Sequence, residues 1–408
     1  MGHVVKTPAG TWRANWRDPA GRQRAKTFPT KREASRFLAE VESTKSRGQY
    51  IDPQAGKTRF GDFAARWEAA RVVEATTSAA TRSALRARLL PYWGTWPLAS
   101  IDHLAVQEWV NKIAAELAPS SVASLHGKLS AILGAAARAR LIAANPCEGI
   151  RLPAARKADR DGRTITRDEL VSKLLPVVPE FYRALPATAA GAGLRWGECL
   201  GLRWSDIDVD AGVLHVRRVV IEVRGRVTVK PYPKTRAGRR TVPMAGFLSD
   251  ALRIHRKITG GGEQTAVFTG PDGGHLLRGN FRRRIWRPSL VRAGLLGNLA
   301  PTDDGQVIAT WPTSDSEDAQ AEFAAENAAI KHIVANAHGG LRFHDLRHCY
   351  ATWLVSRNLP VNVVQTVMGH EQATTTLNLY THASADHYEQ IRRALDADDL
   401  LTDNQGDE

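Results

Sequence analysis

The sequence predicts three domains: a small α+β N-terminal domain, an all-α domain, and a larger mixed α+β domain that is mainly helical with a small antiparallel sheet. A length of 408 residues is enough to bury two or three hydrophobic cores. The hydrophobic pattern changes from strand-like alternation to helical spacing near residue 57, and becomes mixed after residue 164. Stretches without periodicity, around 56–59 and over 151–163, separate these patterns as linkers.

The N-terminal domain, residues 1–56, is expected to be a small sheet braced by one helix. Residues 11–18 alternate as in a strand, and a turn leads to a returning strand over 23–28. A capping-box pattern at Thr30 and Glu33 predicts the start of the helix. The two tryptophans of the first strand are expected to pack on this helix, with contact to a ligand as the alternative.

The all-α domain spans residues 57–150. One helix is predicted to begin after the capping residue Asp102, and another to run from about Ser120 to Arg140, where Asn145 and Pro146 end the pattern. The domain shows no metal ligands or catalytic clusters and is predicted to be a binding module.

The third domain spans residues 164–396 and begins with a capping-box pattern. Its β section is predicted over 213–220, 226–229 and 241–244. Residues 299–328 contain acidic side chains and no Lys or Arg, and are predicted to be a surface insertion. Residues 397–408 form an acidic tail.

A formal charge of +14 and a pI near 10.0 favour a polyanionic partner, because Lys and Arg release counterions from phosphates. Residues 1–60 hold 13 Lys and Arg against 5 Asp and Glu, a net charge of +8. An acidic membrane surface is the rival partner, but no apolar run approaches the roughly 18 residues of a spanning helix. The N-terminus lacks the apolar core of a signal peptide, and three scattered cysteines fit a reducing cytoplasm.

The segment from Gly193 to Asp208 holds the first candidate, Arg195. Leu194 and Leu200 are expected to anchor a short helix that presents Arg195, with Glu198 one turn later to orient it. A purely structural ion pair is the alternative.

A basic segment over 233–243 predicts a β-hairpin whose tip reaches into a DNA groove. Lys234 is the candidate in this segment, and Lys230 lies close enough to compete for its role. A solvated charged surface is the alternative.

His344 and Arg347 lie three residues apart, so that a helix places both on one face. An imidazole beside a permanent bidentate cation suits phosphoryl chemistry better than core packing. His348 suggests a zinc pair with His344, but the segment lacks the Glu and the third ligand that such a site needs. No metal is expected.

The last motif contains His370 and Tyr380. A short helix over 360–368 is predicted to end just before His370, and Tyr380 follows on another short helix. Alone, Tyr380 would be read as a packing residue, and His382 or Tyr388 would be as suggestive.

In their order and spacing, the four motifs resemble those of the tyrosine recombinases of the phage-integrase type. The matching segments are Gly-Leu-Arg-Trp-Gly-Glu around Arg195, Lys-Thr-Arg-Ala-Gly-Arg-Arg-Thr-Val-Pro from Lys234, His-Asp-Leu-Arg-His from His344, Met-Gly-His ending at His370, and Tyr380 ten residues later. The resemblance covers residues 160–395. Met368 replaces the common Leu, a mild departure, and the acidic insertion is a larger one. The first 150 residues resemble an arm-binding and a core-binding domain.

The resemblance implies a site-specific recombinase that breaks and rejoins DNA without metal, cofactor or ATP. Tyr380 would be the nucleophile and form a 3′-phosphotyrosine bond. Arg195, Arg347 and His370 would neutralise the non-bridging oxygens. His344 would assist proton movement, and Lys234 would protonate the departing 5′ hydroxyl.

The implied partners are double-stranded DNA with core and arm-type attachment sites, further copies of the chain in a synaptic homotetramer, and a DNA-bending protein or excisionase. The chain would integrate or excise a phage or mobile element in the cytoplasm of a bacterial host, associated with the nucleoid. The alternatives are a type IB topoisomerase or resolvase, a non-catalytic DNA-binding regulator, and a metal-dependent nuclease or transposase. The basic N-terminal domain and the complete catalytic set favour integration.

Overall fold

The computed structural model describes residues 2–19, 21–47, 55–154, 164–231, 238–314 and 317–369. The chain divides into two compact units, residues 1–160 and 161–408, built from helices and small antiparallel sheets. The division lies within the segment that the sequence predicts as the second linker.

The N-terminal part of the first unit is a three-stranded antiparallel sheet, in the order β1-β2-β3, followed by one helix. These elements are β1 (His3–Lys6), β2 (Trp12–Arg17), β3 (Gln23–Phe28) and α1 (Lys31–Ser46). One half of the predicted capping box is present, because the Thr30 hydroxyl accepts the Glu33 amide at 3.3 Å.

The two tryptophans of β2 lie on the sheet face that α1 covers. Trp16 is 4% exposed and meets Phe37 of α1 edge-on at 5.3 Å between ring centroids, so the predicted packing is confirmed. Trp12 is half-buried, and the ammonium of Lys31 lies 5.5 Å from its ring centroid. Since side chains alternate along a strand, Arg13 and Arg17 point to the opposite face, where both are exposed.

The remainder of the first unit is helical. Its helices are α2 (Phe60–Ala69), α3 (Ala75–Ala84), α4 (Leu90–Trp93), α5 (His103–Ala114) and α6 (Pro119–Arg138), with a π-helical segment over Leu85–Leu89 and 3₁₀ turns at Ala55–Lys57 and Leu98–Ser100. Trp93 and Trp109 are fully buried at its core. Asp102 caps α5 as predicted, since its carboxylate accepts the Ala105 amide at 2.8 Å.

The second unit begins with the predicted capping box, in which Thr166 and Glu169 accept each other's backbone amides. Its helices are α7 (Arg167–Glu169), α8 (Leu175–Val177), α9 (Glu180–Gly191), α10 (Trp196–Leu200), α11 (Gly246–Thr259), α12 (Arg278–Phe281), α13 (Arg287–Arg292), α14 (Glu326–Asn336), α15 (Asp345–Val355) and α16 (Val361–Met368). π-Helical segments over Leu170–Leu174 and Arg282–Trp286 join α7 to α8 and α12 to α13, and a 3₁₀ turn spans Trp204–Asp206.

The β section predicted near residue 213 divides between two sheets. The first is a three-stranded antiparallel sheet in the order β4-β5-β8, and the second is the hairpin β6-β7. The strands are β4 (Ile207–Asp208), β5 (Val213–Val216), β6 (Val219–Val223), β7 (Arg226–Lys230) and β8 (Arg240–Pro243). Arg217 and Arg218 separate β5 from β6, and both pair with the buried carboxylate of Asp206. The ion pairs thus hold the chain at the point where it leaves the first sheet.

The acidic segment predicted as a surface insertion forms a third antiparallel sheet, in the order β11-β10-β9, followed by α14. Its strands are β9 (Asn298–Pro301), β10 (Val307–Pro312) and β11 (Asp318–Phe323). Asp318 and Glu322 are exposed, whereas Ala309 and Trp311 belong to the core of the second unit. This sheet was not predicted from the sequence, because the acidic side chains that mark the segment favoured a surface insertion and concealed the apolar residues between them.

Candidate active site

Arg195 is presented by a tight turn between α9 and α10. Gly193 has a φ of 62°, and a Cβ at this position would lie 2.4 Å from Cδ1 of Tyr350. Leu194 is buried, so Arg195 stands at the start of α10 with its side chain 42% exposed. The turn therefore requires glycine, and it directs Arg195 toward solvent.

Glu198 orients Arg195, as predicted from their spacing in the sequence. Its carboxylate accepts Nη1 of Arg195 at 2.8 Å and the Arg195 backbone amide at 3.0 Å. The Glu198 side chain is only 4% exposed, so its carboxylate is fixed in the interior. The guanidinium of Arg195 remains accessible to solvent.

Arg347 lies on α15 and is almost fully buried, with 2% of its side chain exposed. Its Nη1 donates to the Gly193 carbonyl at 2.5 Å, and its Nη2 donates to the Met368 carbonyl. Nη1 also lies 3.8 Å from the Glu198 carboxylate. Arg347 therefore joins the Arg195 turn to the end of α16.

A third guanidinium, that of Arg240 on β8, completes the cluster. It donates to the Glu198 carboxylate at 3.0 Å and to the Val367 carbonyl at 2.7 Å. Its side chain is 4% exposed. Arg240 was not among the predicted site residues, since its partners lie 42 and 127 residues away in the chain. Its position in the sequence just before a predicted strand, near the end of the basic segment 233–243, was the available signal.

The cluster has an excess of positive charge. Burial alone would raise the pKa of Glu198, but Arg240, then Arg347 and Arg195, lower it to about 2. Burial, with the like charges of Arg195 and Arg240, lowers the pKa of Arg347 to about 9, which leaves it protonated at neutral pH. Three guanidinium groups around one carboxylate carry a formal charge of +2. Such a site favours an anion.

His344 lies at the N-terminal end of α15, beside this cluster. Burial, then His348, Arg347 and Arg195, lower the pKa of His344 to about 4. The rings of His344 and His348 meet edge-on at 5.1 Å between centroids. His344 is therefore neutral at physiological pH and can accept a proton. Among the described residues, no group of three or more His, Cys, Asp or Glu side chains is arranged to hold a metal ion.

The structure thus brings Arg195, Glu198, His344 and Arg347 together. Lys234, His370 and Tyr380 lie outside the described residues, as do His382 and Tyr388, the competitors of the nucleophile. Lys230, the competitor of Lys234, is the last residue of β7 and is half-buried opposite Val219.

Comparison with known proteins shows that the chain is similar to integrases in sequence and in fold. A family model described as the phage integrase family matches residues 317–387. A putative prophage phiRv2 integrase of Mycobacterium tuberculosis is 27% identical over 392 residues, which cover 94% of this chain and 92% of the relative.

Two solved structures show the same fold at lower identity. The Tn1549 transposon integrase in complex with a circular intermediate DNA has a TM-score of 0.60 at 19% identity, covering 83% of this chain and 99% of the other. A lambda integrase tetramer bound to a Holliday junction has a TM-score of 0.54 at 18% identity, covering 91% and 96%. No helix within the described part of the chain is both long and apolar enough to cross a membrane.

Proposed function

We propose that this chain acts as a tyrosine recombinase of the phage-integrase type, which breaks and rejoins DNA at specific sites, with Tyr380 as its nucleophile and with Arg195 and Arg347 binding the scissile phosphate. The observation that carries this proposal is the cluster of three guanidinium groups around Glu198, with its formal charge of +2. A phosphodiester repels nucleophiles through its own negative charge, and cations at the non-bridging oxygens remove that barrier.

The two arginines have different parts in this scheme. Arg195 is exposed and anchored through Glu198, so it meets the phosphate directly. Arg347 is buried and donates two hydrogen bonds to backbone carbonyls. It therefore stabilises the phosphate through its positive charge and its remaining N–H groups, from the protein side of the site. His370 supplies a third donor to the phosphate. The arrangement concentrates positive charge where the pentavalent transition state gains negative charge.

Proton movement accompanies the attack. The Tyr380 hydroxyl oxygen bonds to phosphorus, its proton passes to the neutral imidazole of His344, and the bond from phosphorus to the 5′ oxygen breaks. Lys234 gives a proton to that departing oxygen. Attack by another strand's 5′ hydroxyl on the 3′-phosphotyrosine reverses these steps and frees Tyr380, so the bond energy is conserved.

A covalent-adduct assay tests the nucleophile. The probe is a labelled duplex that spans the junction of the resident element, obtained by sequencing that junction. The unsubstituted chain should leave label attached to protein after denaturation, and Tyr380→Phe should bind the duplex without forming the adduct. Tyr388→Phe is the matched control and should retain the adduct. An adduct that persists in Tyr380→Phe would remove Tyr380 from the mechanism.

The leaving-group acid is tested with a sulfur substitution. Lys234→Ala should lose cleavage of the normal duplex but regain it on a duplex with a 5′ bridging sulfur, because a thiolate leaves without protonation. Lys230→Ala serves as the comparison. Rescue of Lys230→Ala instead of Lys234→Ala would transfer the role to Lys230.

DNA contacts are proposed for each part of the chain. The N-terminal domain would bind arm-type sites through the open face of its sheet, where Arg13 and Arg17 are exposed. The helical part of the first unit would bind core sites. In the second unit, exposed arginines at 282–284 and the Arg224–Gly225 turn of the β6-β7 hairpin would contact phosphates.

The working assembly is proposed to be a homotetramer on two duplexes, supported by the lambda integrase tetramer on a Holliday junction. A DNA-bending protein or an excisionase would assist it at arm-type sites and set its direction. Size-exclusion chromatography of the chain with junction duplex should show four protomers on two duplexes. A recombination assay with two sites, run beside a plasmid relaxation assay, separates an integrase from a topoisomerase.

A further inference from the structure

We propose that Arg240 is a positioning residue of this site: it shares the charge of Glu198 with Arg195 and anchors the end of α16, which leaves Arg195 able to bind the phosphate. The inference rests on the proposed function, since it concerns how the phosphate site is assembled.

Arg240 connects three separate parts of the second unit. Its Nη2 donates to Glu198 of α10 at 3.0 Å, and its Nε donates to the Val367 carbonyl of α16 at 2.7 Å. Arg240 itself opens β8, the strand that follows the Lys234 segment in the chain. Val367 lies three residues before His370 in the chain. One guanidinium therefore ties together α10, the start of β8 and the end of α16.

Two different arginines donate hydrogen bonds to consecutive backbone carbonyls at the end of α16. Arg240 binds the carbonyl of Val367, and Arg347 binds that of Met368. Helix carbonyls at this end lack partners within the helix and carry partial negative charge, so cations stabilise them. Gly369 then turns the chain with a φ of 62°, directly before His370. The end of α16 is thus held by the same two cations that flank Glu198.

The charge of Glu198 is divided among its neighbours, and Arg240 takes the largest part. Burial would raise the pKa of Glu198, and Arg240 opposes it through both charge and hydrogen bonding, ahead of Arg347 and Arg195. Without Arg240, the carboxylate would be balanced by Arg195 and Arg347 alone, and the formal charge of the cluster would fall to +1. The guanidinium of Arg195 would then interact more strongly with Glu198, and less of its positive charge would be available to a phosphate.

A buried arginine elsewhere in the same unit provides the contrast. Arg287 is 7% exposed and donates to the carbonyls of Val334, Gly339 and Ala337 at 3.1, 3.3 and 2.8 Å. It has no carboxylate partner among the ion pairs of the described residues. Arg287 therefore matches Arg240 in burial and in carbonyl bonding, but not in its contact with Glu198.

The experiment uses the full chain in the covalent-adduct assay with the junction duplex. Arg240→Met should slow adduct formation about 10- to 100-fold while duplex affinity changes by less than about threefold. Adding Glu198→Gln to Arg240→Met returns the formal charge to +2 and should recover at least part of the rate. Recovery on removing a second partner is not expected from a purely structural loss, which would add to the first.

Arg287→Met, alone and with Glu198→Gln, is the matched control. It should lower the melting temperature, and Glu198→Gln should not increase its cleavage rate. If Arg240→Met does not fold, Arg240→Lys is compared with Arg240→Gln, and the charged variant should cleave faster. The proposal is overturned by wild-type cleavage in Arg240→Met, by a double variant no faster than Arg240→Met, or by Arg240→Gln exceeding Arg240→Lys. Absence of an adduct with the unsubstituted chain would instead refute the proposed function.

Discussion

At the residue scale, His344 links the electrostatics of the site to the pH dependence of stability. Burial and the neighbouring His348, Arg347 and Arg195 lower its pKa from 6.5 to about 4. Between these values the folded chain keeps the imidazole neutral, whereas the unfolded chain protonates it. The unfolded state therefore binds more protons, and stability falls as pH decreases from about 6.5 toward 4.

His344→Asn is therefore expected to weaken the pH dependence of the free energy of unfolding. Between about pH 7 and pH 5 the loss should shrink by about 1 kcal/mol, less than the full pKa shift implies, because the ring is only partly buried and solvent at its open edge screens the neighbouring charges. Urea unfolding at both pH values measures it, with His275→Asn, at an exposed loop position, as the control. An unchanged pH dependence in His344→Asn would show that the histidine is not held neutral.

At the element scale, the turn between α9 and α10 is the part of the fold on which the site depends. Gly193 supplies a left-handed conformation, contacts the ring of Tyr350 on α15, and offers its carbonyl to Arg347. The Arg195 helix and the Arg347 helix are thus in contact through one glycine. A side chain here would separate the two elements that bring Arg195 and Arg347 together.

Gly193→Ala should destabilise the chain by more than about 2 kcal/mol, since backbone strain is added to the clash with Tyr350. Gly212→Ala is the matched control. Its φ of 66° imposes a similar backbone strain, but nothing lies within 4 Å of the added methyl group, so its cost should stay near about 1 kcal/mol. Urea denaturation compares them. Equal costs would show that α15 can move away from the turn without penalty.

At the scale of the whole molecule, charge is unevenly distributed along the chain. Of the formal +14, residues 1–60 carry +8, whereas the solvent face of the β9–β11 sheet and its connections is acidic. Electrostatic attraction to DNA should therefore come disproportionately from the N-terminal domain.

Salt dependence of duplex binding tests this distribution. Arg13→Gln together with Arg17→Gln should reduce the slope of log K against log salt by about 1 to 2, because each lost phosphate contact contributes about 0.9. The control is Arg253→Gln with Arg256→Gln, which removes two exposed arginines of α11 that pair with acidic side chains. A slope that changes equally in both pairs would mean that position in the chain does not matter.

Local features were predictable from the sequence because their causes lie within a few residues. The caps at Thr30, Asp102 and Thr166 follow from side chains that reach amides three residues away. The pairing of Arg195 with Glu198 has the same separation. The order of the four motifs then indicated the resemblance to the phage-integrase type, since each spacing constrains the others.

Features that join distant segments were decided only by the tertiary structure. The sequence contains Arg240 within a basic run, but its partners, Glu198 and Val367, become neighbours only when β8 meets α10 and α16. The sheet β9–β11 was likewise not predicted, because the acidic residues of this segment favoured a surface insertion. Residue type and spacing indicate which chemical roles a side chain is suited to. Its burial and its hydrogen-bond partners depend on which distant segments pack together. The sequence by itself therefore determined the resemblance to the phage-integrase type and the choice of candidate residues, and the fold decided that three arginines share one carboxylate.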